Sequence, residues 1–270
     1  MSTISRNTKL KDVRFCAVDL ETTGTNPFLH RIIEVGMTSF SLNKDYEQFQ
    51  TFCDPGVQIP ESNTAIHGIT DDMVAGSPSF CDVKNDVFSF MKGSVLIGHN
   101  PVFDLAFLTA GALGSDVMYF EAFDTVRLAR MAFPESPNHK LGTLCGYLGI
   151  ESNYHRALAD AVACMKVFGL IIEKMDPAGE CTLGTLLSLH GGLVPSPISE
   201  RKANRTGGFR NMKIGKQIKI VYRDFEGVVS ERCIVPQKFI YYGKREYVLA
   251  HCLLSNAERI FNAGRIMSVL

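Results

Sequence analysis

The sequence predicts an α/β protein followed by a smaller, all-β segment. Three observations carry that prediction. Strand-like apolar runs alternate with helix-spaced ones over residues 12–175, the pattern of an α/β domain. Residues 217–269 give short β-branched and aromatic runs separated by turn signals. Between them Gly, Pro and Ser accumulate, as in HGGLVPSPISE. The expected division is therefore 12–175, a linker over 176–211, and 212–270.

Composition sets the class. Of 270 residues, 46% are hydrophobic and 21% charged, enough apolar content for a sizeable core in a soluble protein. The opening MSTISRNTKLKDVR has no apolar run, and no segment approaches the ~20 apolar residues of a membrane span. A cytoplasmic protein without membrane contact is expected. Eight cysteines lie scattered with no CxxC pair, which reads as reduced buried thiols rather than a zinc site. Net charge is zero but unevenly spread. Residues 201–270 carry 14 Lys and Arg against 5 Asp and Glu, a net of +9, so residues 1–200 carry −9. The acidic part suits a metal site. The basic part suits an anionic partner or simply a solvated surface.

The elements follow in order. Phe15, Ala17, Val18 and Leu20 mark a first strand, Arg31–Phe40 a second and Tyr46–Cys53 a third, close enough for an antiparallel meander. Residues 59–74 read as a loop with short helical turns, with Thr70 as a cap. Phe80–Met91 has helical spacing, Ser94–Gly98 is a buried strand, and Pro101 opens a helix over Val102–Leu113. A strand over Val117–Phe123 and helices over Asp124–Phe133, Leu141–Leu148 and Tyr154–Lys174 complete this part. The linker holds one helix, Leu183–Leu189. Six strands are expected beyond it: Ile218–Tyr222, Val228–Val235, Lys238–Tyr242, Glu246–Cys252, Arg259–Phe261 and Arg265–Val269.

The stretch FCAVDLETTGTNP organises the first part. Asp19 and Glu21, two apart on a strand, share one face with about 7 Å between them. Like charges so placed repel, and a hard divalent cation would neutralise both. Solvated acids at a strand end are the other reading. Asp104 lies one turn into an otherwise apolar helix, and Asp160 lies on the long one. His155 precedes Asp160 by five positions. Five positions turn a helix by about 500°, so His155 is better placed in the lead-in to that helix than on it.

The combined pattern DLETTG, GHNPVFDLAFL, HRALAD closely resembles the DEDDh, or DnaQ-like, 3′→5′ exonucleases, which include the proofreading subunit of bacterial polymerase III. The resemblance covers roughly residues 12–172 and implies an RNase H-like exonuclease fold. It implies four metal ligands, Asp19, Glu21, Asp104 and Asp160, with Glu21 and His155 catalytic and His155 the general base. Two Mg²⁺ ions are implied, with Mn²⁺ able to substitute. Two metals about 3.5–4 Å apart stabilise the attacking and leaving oxygens of a phosphodiester. A histidine with a pKa near 6.5 accepts the water's proton at neutral pH. By the same resemblance Thr22, Thr23, His67 and Asn100 border the terminal nucleotide, though each also suits a turn or cap. The partner implied is nucleic acid with a free 3′ end, single-stranded DNA favoured, cut to nucleoside 5′-monophosphates. An RNA-trimming enzyme of the same fold and a non-catalytic ligand-sensing regulator are the rival readings.

Residues 212–270 resemble the WYL domain, a small SH3-like β-barrel. The matching landmarks are Tyr222, the DxxG turn, Arg232, Pro236, REYVLAHC, Arg259 and Arg265, while the namesake triplet reads Glu246-Tyr247-Val248. The resemblance implies a nucleotide or nucleic-acid ligand, with Arg232, Tyr247, Arg259 and Arg265 as candidates for phosphate contact and stacking. A packing or dimerisation role is the alternative, and the oligomeric state stays open.

Overall fold

The computed structural model describes residues 4–42, 46–113, 119–151, 156–200 and 212–270. They fall into two compact units, the first running to Gly111 and from Phe120 to Pro195, the second formed mainly by Ser196–Leu270.

The first unit is a mixed sheet with helices. β1 (Phe15–Thr22), β2 (Ile32–Phe40) and β3 (Tyr46–Phe52) form the expected antiparallel meander. The chain then makes α1 (Glu61–His67), α2 (Asp71–Val74) and α3 (Phe80–Met91). β4 (Val95–Gly98) returns parallel to β1, and α4 (Val102–Ala112) leads on to β5 (Glu121–Asp124), parallel to β4. α5 (Thr125–Ala132), α6 (Leu141–Leu148), α7 (Ala157–Met175) and α8 (Leu183–His190) follow. The two-residue strand β6 (Val194–Pro195) pairs with β5, giving the order β3-β2-β1-β4-β5-β6.

Alternation decides what each face of β1 does. Phe15 and Ala17 sit in the same buried cluster as Ala161, Cys164 and Phe168 of α7. The Phe168 ring lies 4.9 Å from that of Phe15 and 6.2 Å from that of Phe40. Asp19 and Glu21 continue this face toward the strand end. A register shift between Glu21 and Thr22 breaks the β1–β2 ladder there, as bulges commonly do beside sites.

Gly36 lets α7 come down onto the sheet. It pairs with Asp19 across the ladder. A Cβ built on it would stand 2.1 Å from the carbonyl carbon of Ala157 and the amide nitrogen of Leu158. Helix backbone therefore rests on strand backbone at this point.

Sequence and structure part at several boundaries. Thr70 stands at the N-cap of α2, but its side chain makes no capping bond. Asp71 Oδ1 instead accepts the Ile59 amide at 2.9 Å. Part of the strand expected over Val117–Phe123 lies outside the described residues, and pairing begins at Glu121. The segment read as a linker supplies α8, whose Leu183 and Leu186 are buried in the main core, and β6.

The second unit is a six-stranded antiparallel sheet. Its strands are β7 (Ile198–Glu200), β8 (Ile218–Arg223), β9 (Val229–Tyr242), β10 (Arg245–Cys252), β11 (Ala257–Asn262) and β12 (Ile266–Val269). The order is β11-β10-β9-β8-β12, with β7 on β9. Among the described residues no ladder joins β11 to β12, so the pairing is that of an open sheet rather than a closed barrel. Two strands expected around Pro236 are one. Ala250 pairs with Pro236 and Leu249 with Lys238, leaving Gln237 as the extra residue of a bulge. The bulge accommodates a proline that cannot donate to the ladder.

Gly36→Ala should destabilise the first unit by about 3 kcal/mol, the upper range for forcing a methyl group into a packed interior. Urea unfolding followed by circular dichroism measures this, and a loss below about 1 kcal/mol would contradict the backbone contact.

Candidate active site

Three of the predicted ligands meet. One carboxylate oxygen each from Asp19, Glu21 and Asp160 lie within 4.8 Å of one another. β1 supplies two of them by alternation, and the first turn of α7 supplies Asp160. Asp104 stands outside this trio. It lies in the first turn of α4 with 8% of its surface exposed, and its Oδ1 accepts the Leu20 amide at 3.0 Å. Leu20 is the residue between Asp19 and Glu21, so Asp104 is tied to the backbone that carries them.

Burial acts on Asp19, Glu21 and Asp104, and like charge adds to it at Asp19 and Glu21. Burial pushes the Asp19 carboxyl well above its ordinary value, and the neighbouring charges of Asp104, Asp160, Glu21 and Glu34 add to the shift. Glu21 is pushed up to about 8 by burial and then by Asp160, Glu34 and Asp104, with Arg156 opposing. Burial lifts Asp104 to about 7, although the backbone amides of its own residue and of Leu20 favour the anion.

These groups fit a divalent cation. The converging donors are hard, anionic oxygens, the set preferred by Mg²⁺ and Mn²⁺ over softer metals. Their raised affinity for protons comes first from burial and, for Asp19 and Glu21, also from repulsion between neighbouring acids, and a bound cation would offset both.

Two residues that sequence reasoning left aside complete the surroundings. Glu34, opposite Glu21 in the ladder, has no exposed surface. Its Oε1 accepts Arg156 Nη2 at 3.0 Å and Gln50 Nε2 at 2.6 Å, and its Oε2 accepts the Ala157 amide at 3.1 Å. Gly36 is the second. RIIEVGMTSF reads as an ordinary strand, and only the position of α7 shows what either residue does.

The other predicted residues are placed as follows. Thr22 Oγ1 donates to the Gly24 carbonyl at 2.7 Å, and Thr23 Oγ1 accepts the Arg31 amide at 3.0 Å, so both buried side chains hold the turn after β1. His67 ends α1 with 4% of its surface exposed, its Nδ1 accepting the Ile69 amide at 3.0 Å. Asn100 is exposed, holds a left-handed φ of 65°, and gives its amide to Asp124 Oδ1 at 3.1 Å. Asp124 also caps α5 through the Val126 amide, which joins the ends of β4 and β5. His155 lies outside the described residues.

In the second unit Arg232 bonds Ser230, exposed Arg259 bonds Ser255, and Arg265 donates to the Asp224 carbonyl while lying over the Phe225 ring. Tyr247 is 2% exposed and packs inward, so its ring presents no stacking face.

A family model described as exonuclease matches residues 16–168, more than half of the chain, with all four acids inside the match. The chain belongs to the exonuclease family. Its exonuclease unit is similar to DNA polymerase III subunit epsilon of Treponema pallidum, 36% identical over 165 residues that make up 59% of this chain and 77% of that protein. It is also similar to the PolC-type DNA polymerase III of Oceanobacillus iheyensis, 34% identical over 166 residues, or 60% of this chain and only 12% of that much longer protein. Among solved structures, E. coli exonuclease I in complex with a dA16 oligonucleotide superposes with a TM-score of 0.53 at 18% identity. That match covers 88% of this chain and 55% of the other, and it supports the fold. A second family model, the WYL domain, matches residues 212–269. No helix among the described residues is long and apolar enough to cross a membrane.

The raised carboxyl groups have a consequence for stability in the absence of metal. An acid whose pKa rises on folding binds more protons folded than unfolded, so its contribution is present below the unfolded value and lost as pH rises through the folded one. For Glu21 that window runs from its ordinary 4.5 to about 8. The melting temperature of protein in EDTA should therefore fall across this window, and the increase produced by Mg²⁺ or Mn²⁺ should grow across it. Differential scanning fluorimetry over a pH series checks both, and a metal effect independent of pH would contradict the cluster.

Proposed function

We propose that this exonuclease acts from a free 3′ end, with single-stranded DNA favoured, and releases nucleoside 5′-monophosphates in a reaction that depends on divalent metal. The observation that carries the reading is the convergence of Asp19, Glu21 and Asp160 on one face of the sheet, with Asp104 bonded behind them. In this reading Asp19, Glu21 and Asp160 hold two Mg²⁺ or Mn²⁺ ions, with Asp104 acting at one of them directly or through water. Bound there, the ions would polarise the scissile phosphodiester and make water more acidic. His155, five residues before Asp160 in the sequence, takes the water's proton as general base. The turn of Thr22 and Thr23 and the exposed Asn100 border the terminal nucleotide, through backbone more than side chain in the two threonines. A cytoplasmic location suits these roles.

For the second unit we infer an anionic ligand, a nucleotide or a strand of nucleic acid. Support comes from the net charge of +9 over residues 201–270 and from the WYL match. Arg259 is the candidate most open to solvent. Arg232 and Arg265 are already partly engaged.

The test is a gel assay with end-labelled single-stranded DNA and RNA of one sequence, in Mg²⁺, Mn²⁺ or EDTA. Shortening from the 3′ end, lost in EDTA, is expected, with DNA degraded faster. Faster loss of RNA would make this an RNA-trimming enzyme. No cleavage by folded protein would favour the regulator. Asp19→Asn should lower the rate by more than about 100-fold, since losing even an outer partner of a ligand costs 10–100-fold. It should not lower the melting temperature in EDTA, because it removes a repelling charge. Full activity in this variant would refute the metal site.

Arg259→Ala combined with Arg265→Ala should weaken binding to a long oligonucleotide and flatten its salt dependence, because a surface that neutralises fewer phosphates releases fewer counterions. Cleavage of a very short substrate should persist. Unchanged binding by fluorescence anisotropy would assign the basic surface to packing.

A further inference from the structure

Glu34 is the charged residue whose place is hardest to account for by folding alone. A carboxylate with no exposed surface is costly unless fully bonded, and this one faces Glu21 across the ladder. Its bonds explain how it is tolerated. Arg156 approaches with Nε at 3.2 and 3.3 Å from the two oxygens and Nη2 at 3.0 Å from Oε1. Gln50 and the amide of Ala157 supply the remaining donors. With both oxygens so occupied, Glu34 is not a further metal ligand.

The identity of those donors gives the function. Ala157 is the first residue of α7, and Arg156 is its N-cap. The Arg156 guanidinium bonds Glu34 and lies over the ring of Phe52, Glu34's partner on β3, 5.2 Å from its centroid. Asp160 follows one turn later, its amide bonded to the Arg156 carbonyl at 3.0 Å. Glu34 thus grips the two residues from which the first turn of α7 hangs. Gly36, two residues along on the same strand face, admits that turn to the sheet. Arg156 also places a positive charge near Glu21.

We propose that Glu34 is a positioning residue for the hydrolysis: through Arg156 and the Ala157 amide it locks the first turn of α7 and sets where Asp160 stands against Asp19 and Glu21. The proposal rests on the exonuclease reading above. It makes the acid on β2 part of the site although it touches neither metal nor substrate.

The experiment compares wild type with Glu34→Gln and Arg156→Lys. Mn²⁺ binding is measured by the loss of free-ion signal in electron paramagnetic resonance, alongside kcat, KM and melting temperature. Both variants should bind Mn²⁺ about tenfold more weakly or worse, the range found when an outer partner of a ligand is removed. They should lose kcat in proportion and keep KM for the oligonucleotide. The double variant should lose no more than the worse single one, because the two residues act as a unit. Arg156→Lys keeps the charge and leaves Glu34 its Gln50 and Ala157 donors, so it gives the answer should Glu34→Gln fail to fold. A lowered melting temperature with Mn²⁺ affinity and kcat within twofold of wild type would overturn the proposal and leave Glu34 a purely structural residue. Wild type that neither binds Mn²⁺ nor cuts DNA or RNA would instead defeat the exonuclease reading itself.

Discussion

Acids that crowd into one half-buried cleft repel one another, and partial burial weakens the screening that bulk water would give. The architecture of the first unit answers that constraint. Asp19 and Glu21 cannot separate, because alternation fixes both on one face of β1. Asp104 cannot swing away, because the Leu20 amide holds it. Asp160 cannot retreat, because α7 rests on Gly36 and is gripped by Glu34. Proton uptake or a cation from outside relieves the repulsion, and the arrangement is suited to receiving either.

The same cleft shows two uses of buried charge. Glu34 is surrounded by donors: Arg156, Gln50 and the Ala157 amide. Among the described residues no comparable set of donors meets Asp19 and Glu21, and burial and neighbouring acids make both take up protons more readily than ordinary carboxylates.

Much of this was legible beforehand, for identifiable reasons. The β1 acids stood out because they interrupt an apolar run, and strand alternation alone puts them together. Asp104 and Asp160 could be gathered to them only through family resemblance, since nothing local says that two helices deliver their first turns to one strand end. Glu34 and Gly36 left no local signal: an acid in a strand looks solvated, and a glycine there looks like a weak position. The break expected at Pro236 failed because one bulged residue lets a strand pass a proline. Tyr247 resembled a surface aromatic, but its register opposite Ile240 puts it on the inward side.

Where two elements meet through side chains, rotamer changes let them shift a little against each other. At Gly36 no side chain stands between α7 and β2, and interiors packed this closely transmit displacement rather than absorb it. The helix and the strand must therefore fluctuate together. Asp160 on the helix and Asp19, which pairs with Gly36 across the ladder, keep a narrower spread of separations than groups mounted on cushioned elements would, and an arriving ion meets oxygens that need little ordering. The smallest residue in the strand thus limits thermal motion in the cleft.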